Sequence, residues 1–152
     1  MHGMAQRIAA RSLSAAAPPR LYHGGREVVH KLRPGSFASD RIRGAFDYAR
    51  YGPNQQGRRG AGFLSVFDVA SSASIESYNS FADAYKAHGV QGTMALARAA
   101  KKRGSPDLVQ VYDEVIVVNP RVLSFIGGLE VPEEGTSSEV IKRLQHTKPM
   151  KG

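Results

Sequence analysis

Residues 108–119 read LVQVYDEVIVVN, the strongest strand signal in the chain. Val, Ile and Tyr fit a pleated, buried surface, and Pro120 cannot continue a ladder, so one long strand from Leu108 to Asn119 is expected. Two acids, Asp113 and Glu114, interrupt its apolar pattern. They cannot both face a dry core, because an unpaired buried carboxylate is costly. On a period of two, Glu114 shares a face with Tyr112, Ile116 and Val118, and Asp113 lies opposite. A carboxylate among apolar neighbours points to the floor of a cleft, with an edge strand as the plainer alternative.

The rest of the chain supplies shorter pieces of both kinds. Leu21-Tyr22-His23 reads as a strand closed by Gly24-Gly25, residues 26–33 as a short helix stopped by Pro34-Gly35, and Ser36–Ala38 as a brief strand. Ile42, Ala45, Phe46 and Ala49 fall at i, i+3, i+4 and i+7, which predicts a helix capped by Ser39 or Asp40 and ended at Gly52-Pro53. Residues 53–61 carry only turn and charge signals and read as an exposed loop. Gly62–Val69 reads as a central strand. Tyr78, Phe81, Ala82 and Tyr85 fit one face of a second helix ended at Gly89, and Thr93–Arg103 is a third. A shorter apolar piece covers Val122–Ile126, and Thr136 with Glu139 has capping-box spacing ahead of a helix over Val140–Gln145. This mixture is α+β, without a regular βαβ alternation.

The chain has 152 residues, enough for one domain with its own core, and no cysteine, which excludes disulfides, thiolate metal sites and a cysteine nucleophile. Its longest clean apolar run, Val115–Val118, is far short of the ~20 residues of a membrane-spanning helix, so a soluble protein without membrane insertion is expected. With 21 Lys and Arg against 13 Asp and Glu, the formal charge is +8. Such a balance attracts nucleic acid, anionic surfaces or acidic proteins without choosing among them. Residues 1–19 hold Arg but no acid and are expected to be a mobile basic leader, whose composition suits a targeting or secretion segment as well as a solvated tail or tag. The domain is expected over residues 20–147, with a short tail at 148–152.

Three constellations carry chemistry: Tyr22-His23-Gly24-Gly25, then Phe37-Ala38-Ser39-Asp40 with Tyr48 eight residues on, and Tyr112-Asp113-Glu114. In this order and in these strand contexts they resemble the ADP-ribosyltransferase superfamily. The resemblance is to the His-Tyr-Glu branch that contains diphtheria toxin and the poly(ADP-ribose) polymerases, and it spans roughly residues 20–126. It implies an ADP-ribosyltransferase-like split β-sandwich with peripheral helices. It also implies NAD as substrate without a metal, and mono-ADP-ribosyl transfer to a macromolecular acceptor, most simply a protein, with release of nicotinamide.

By the same resemblance Glu114 is the catalytic carboxylate, and Phe37 and Tyr48 sandwich the nicotinamide. His23, Gly24 and Tyr22 hold the rest of NAD, and Tyr112 faces the acceptor; Arg58 and Arg59 are substrate-facing candidates from the charge of their loop alone. Phe37 stands where the family has Tyr, and Gly25 where it has Ser or Thr. The chemistry suits these residue types. Cleaving the nicotinamide–ribose bond passes through an oxocarbenium-like state that a carboxylate stabilises, and a planar cation favours an aromatic face.

The compact core, the lack of cysteine and the leader suggest a bacterial toxin or injected effector acting in a host cytoplasm. A second reading is a non-catalytic module of the same fold that binds an acidic peptide, protein or nucleic acid. A third is a basic nucleic-acid-binding protein, prompted by Arg58-Arg59 and the stripe Arg98, Lys101, Lys102. Gly57–Gly62 has the wrong spacing and context for a Rossmann site, and neither a metalloprotease nor a nucleophile-elbow motif occurs.

Overall fold

The structure is a computed structural model and describes residues 17–52 and 62–151. Seven strands form one mixed sheet: β1 (Arg20–Gly25), β2 (Phe37–Ser39), β3 (Gly62–Val69), β4 (Ile75–Tyr78), β5 (Leu108–Val111), β6 (Glu114–Val117) and β7 (Leu123–Val131). Four helices accompany them among the described residues: α1 (Ile42–Tyr51), α2 (Phe81–His88), α3 (Thr93–Arg103) and α4 (Ser137–Leu144). The strand order is β4-β5-β6-β2-β1-β3-β7, and only β4 with β5 is parallel. The α+β expectation holds, and no helix among the described residues is long and apolar enough to cross a membrane.

The sheet is weakly joined at its middle. β1 pairs with β3 over six residues, but with β2 only through Tyr22 opposite Ser39. The strands on either side of this junction turn one face toward a shared core of Leu21, Ala38, Phe67, Leu108, Val115 and Val117. Their outer faces are covered separately. α1 and α4 lay Phe46, Ile42, Val140 and Ile141 on Leu64, Val66, Leu129 and Val131. α2 and α3 lay Ala84, Leu96 and Ala100 on Val109, Ile116 and Val118.

Several sequence expectations need correction. Residues 108–119 are a hairpin, not one strand. Val111 pairs with Glu114 across a two-residue turn, and Tyr112 adopts φ 57° in that turn. A two-residue loop in a hairpin often requires a positive φ, a role commonly taken by Gly or Asn, and Tyr112 hides that signal. Tyr112 therefore shares no face with Glu114 and is 75% exposed at the hairpin tip.

Residues 26–33 form no helix but an irregular segment with bends at Arg26, Glu27 and His30, held by side-chain anchors. Ser65 Oγ accepts from the Val29 amide at 2.8 Å, Leu32 is buried, and the His30 ring lies 4.3 Å from that of Phe125. Tyr78 belongs to β4, a strand the periodicity did not reveal, and α2 buries Ala84 instead of the exposed Ala82. β7 runs past Val122–Ile126 through Gly127 and Gly128 to Val131, with an irregularity opposite Val66 and Phe67. α1 begins after Arg41 without a side-chain cap, because the Ser39 hydroxyl accepts from the Arg41 amide instead. The Thr136 cap of α4 is present, its hydroxyl accepting from the Glu139 amide. The leader up to residue 16 and the loop at 53–61, with Arg58 and Arg59, lie outside the described residues.

Candidate active site

Where β1 and β2 part, a pocket of about 320 Å³ opens under α1. Its walls include Tyr22, His23, Gly24, Phe37, Tyr48 and Glu114. These come from both sides of the sheet junction and span 93 positions of sequence. Six of the nine residues singled out from sequence thus meet in one cavity. Tyr112 does not line it, and Arg58 and Arg59 lie outside the described residues.

Gly24 makes the close approach of helix and strand possible. A Cβ there would overlap the Ala45 carbonyl oxygen and sit 2.9 Å from the Ala49 amide nitrogen. Without it α1 rests on the β1 backbone, and that contact carries Tyr48 over the pocket. Phe37, at the start of β2, is fixed from behind by Phe81, edge-on at 5.7 Å between ring centroids.

His23 takes the place of a missing ladder bond. Its Nδ1 lies 2.8 Å from the Phe37 carbonyl oxygen. A carbonyl can only accept, so Nδ1 carries the proton, and Nε2 of the neutral ring is left as an acceptor.

Glu114 opens β6, opposite Ser39 on β2. Burial, and then the neighbouring charge of Asp113, holds its carboxyl above the usual range. The Tyr48 hydroxyl is raised as well, first by burial and then by the charge of Glu114, which places the two in one electrostatic field. The turn before Glu114 is pinned. Gln110 Nε2 donates to Asp40 Oδ2 at 3.0 Å and to the Tyr112 carbonyl at 2.8 Å, and the Asp40 amide donates to the Asp113 carbonyl at 3.2 Å.

Sequence reasoning missed Gly44 and Gly52 in the pocket wall and the bracing pair Asp40–Gln110. Gly44 was a readable signal, since glycine inside a helix is unfavourable without a close approach to justify it. A Cβ there would collide with Ser39 Oγ and reach within 2.9 Å of Asp113 Oδ2.

The arrangement offers a carboxylate, three aromatic rings, a ring-nitrogen acceptor and a strand backbone around one small apolar space. Among the described residues, no group of three or more His, Asp or Glu side chains could hold a metal ion. Comparison with protein-family models, with curated proteins and with solved structures found no match.

Proposed function

We propose that the chain is an NAD-dependent mono-ADP-ribosyltransferase that transfers ADP-ribose to a macromolecular acceptor, most simply a protein, and releases nicotinamide. The observation that carries this reading is the convergence of Glu114, His23, Phe37 and Tyr48 on one pocket, from three strands and a helix spread along the sequence. The resemblance to ADP-ribosyltransferases rests on those same residues. The weak β1–β2 junction, with one core shared across it and helices outside, supports the split-sandwich architecture the resemblance implies.

The pocket suits the nicotinamide end of NAD. At about 320 Å³ it is near the lower bound for small-molecule sites, so it takes the nicotinamide and its ribose while the adenosine half lies outside. Phe37 and Tyr48 offer faces to the cationic ring. The Gly24 backbone offers hydrogen bonds to the carboxamide, and His23 Nε2 accepts from a ribose hydroxyl. Arg26 on the pocket wall is placed to attract the diphosphate.

Chemistry then follows from charge. As the C1′–N bond breaks, its electron pair leaves with nicotinamide, and positive charge develops on the ribose. The Glu114 carboxylate stabilises that charge and accepts a hydrogen bond from the 2′-hydroxyl. A nucleophile of the acceptor, or water in its absence, bonds to C1′ and releases its proton to solvent. Glu114 must be ionised for this, and its raised pKa places the acid limit of activity above the usual carboxylate range.

The test is nicotinamide release from NAD by the full chain, with Glu114→Gln alongside. Release that depends on Glu114 supports the transferase. Absence of both release and NAD binding overturns it and favours the non-catalytic module.

A further inference from the structure

Another cleft, of about 990 Å³, lies where the β1–β2 connection meets the C-terminus of α3 and the segment after β6. It shares no lining residue with the pocket of Glu114. His30, Lys31, Arg33, Lys101 and Arg121 line it, and all five are exposed. Among the described residues none of the five joins an ion pair. The one acid in the lining is Asp107, and its carboxylate is turned to other work. Oδ2 accepts from the Ser74 amide at 2.9 Å and Oδ1 from Asn119 Nδ2 at 3.0 Å.

We infer that this cleft binds single-stranded nucleic acid through its phosphate backbone. Four strongly basic side chains spread around an open cleft suit a chain of phosphates better than one phosphate, which would need them to converge. The positive track also continues out of the cleft. Exposed Arg98 on α3 lies one helical turn before the exposed Lys101 and Lys102, at roughly 5–6 Å between Cβ atoms.

Leu123 in the lining belongs to the edge strand β7, so an acidic peptide is the rival occupant, and the poly-glutamate arm of the experiment below tests it. Phe67 is buried, and the His30 ring rests on Phe125, so no row of exposed aromatic rings is present in the lining to read bases. Binding is therefore independent of sequence. This site stands apart from the NAD reading and does not depend on it.

The experiment is fluorescence anisotropy of the full chain with a labelled 12-nucleotide oligo(dT) and oligo(U) over a salt series. Engagement of four phosphates by the four Lys and Arg side chains gives a log–log salt slope of about −3 for a single strand, hence roughly 60-fold weaker binding at 200 mM than at 50 mM salt. The triple variant Arg33→Ala, Lys101→Ala, Arg121→Ala should weaken binding at least tenfold and flatten the slope by about 2. A control, Lys142→Ala, Lys148→Ala, Lys151→Ala, changes the net charge equally on exposed residues outside the cleft and should bind as the parent does. Equal weakening in both triples would overturn the proposal by showing that net charge alone attracts the strand. So would unaltered binding in the cleft triple, tighter binding of duplex, or displacement of the strand by poly-glutamate at an equal charge concentration.

Discussion

The contact between β1 and α1 supplies a sharp test, because two adjacent glycines in it should respond oppositely to one added methyl group. At Gly24 an alanine Cβ would overlap the Ala45 carbonyl, with the Ala49 amide nitrogen at 2.9 Å and Tyr48 Cβ at 3.1 Å. Two of these three obstacles are helix backbone, which cannot rotate aside as a flexible side-chain tip can. The helix must retreat as a unit, against the packing of Phe46 and Ile42 on Leu64 and Val66. Overpacking usually costs 1–3 kcal/mol, and a rigid obstacle puts Gly24→Ala at about 3 kcal/mol. For a domain of this size that lowers Tm by roughly 6–12 °C.

At Gly25 the nearest atoms to a Cβ, the Glu27 carbonyl oxygen and His23 Nε2, are both 3.9 Å away, which is ordinary contact. Its φ lies outside the left-handed region, so Gly25→Ala should hold stability or raise it by about 0.4–1 kcal/mol through the unfolded chain. Thermal melts followed by far-UV circular dichroism read both variants. Because the retreat of α1 would carry Ala45 and Tyr48 away from the pocket, Gly24→Ala should also lose NAD binding in a titration at 20 °C, where it is still folded. A Gly24→Ala melt within about 2 °C of the parent, or equal losses in both variants, would refute the reasoning.

Three further outcomes follow from the same geometry. Asp113→Asn removes the charge that adds to burial at Glu114, so the acid limb of the pH–rate profile should move to lower pH; an unmoved limb separates Asp113 from the site. Phe37→Ala should weaken NAD binding by roughly 5- to 10-fold, the worth of about 1–1.5 kcal/mol of ring contact, as read by calorimetry, and unchanged affinity would remove the stacking face. Arg50 is 2% exposed and donates to the carbonyls of Gly135, Pro132 and Glu134 while lying 4.8 Å from the Phe46 ring centroid. Arg50→Ala should therefore cost about 2–4 kcal/mol and lower Tm by roughly 5–15 °C in the same melts, and a smaller drop would show that these bonds are dispensable.

How much of this was legible in the sequence depended on whether the signal was local. α1 and α3 were readable because their apolar spacing and their terminal glycines, Gly52 and Gly104, agree. Six pocket residues were readable because each sits at a recognisable strand end or helix face. The hairpin at Tyr112-Asp113 was not, since the turn carries neither Gly nor Asn and both flanks are β-rich. The irregular course of residues 26–33 was equally hidden, because its anchors, Ser65 and Phe125, are distant in sequence. The bracing of Glu114 by Asp40 and Gln110 joins positions 70 residues apart, which no spacing rule reaches.

The most direct measurement of the central claim is nicotinamide release from NAD by the parent chain and by Glu114→Gln, at neutral pH and matched concentration. The account predicts release above the uncatalysed background by the parent and a loss of at least about 100-fold in the variant, the usual cost of removing one charge-stabilising group. The variant should be no less stable. A carboxyl whose pKa is raised by folding contributes stability at low pH that is lost as pH rises through its folded value, and a neutral amide escapes that loss. Release at equal rates from two folded proteins would contradict the role of Glu114, and a parent that neither releases nicotinamide nor binds NAD would contradict the transferase itself.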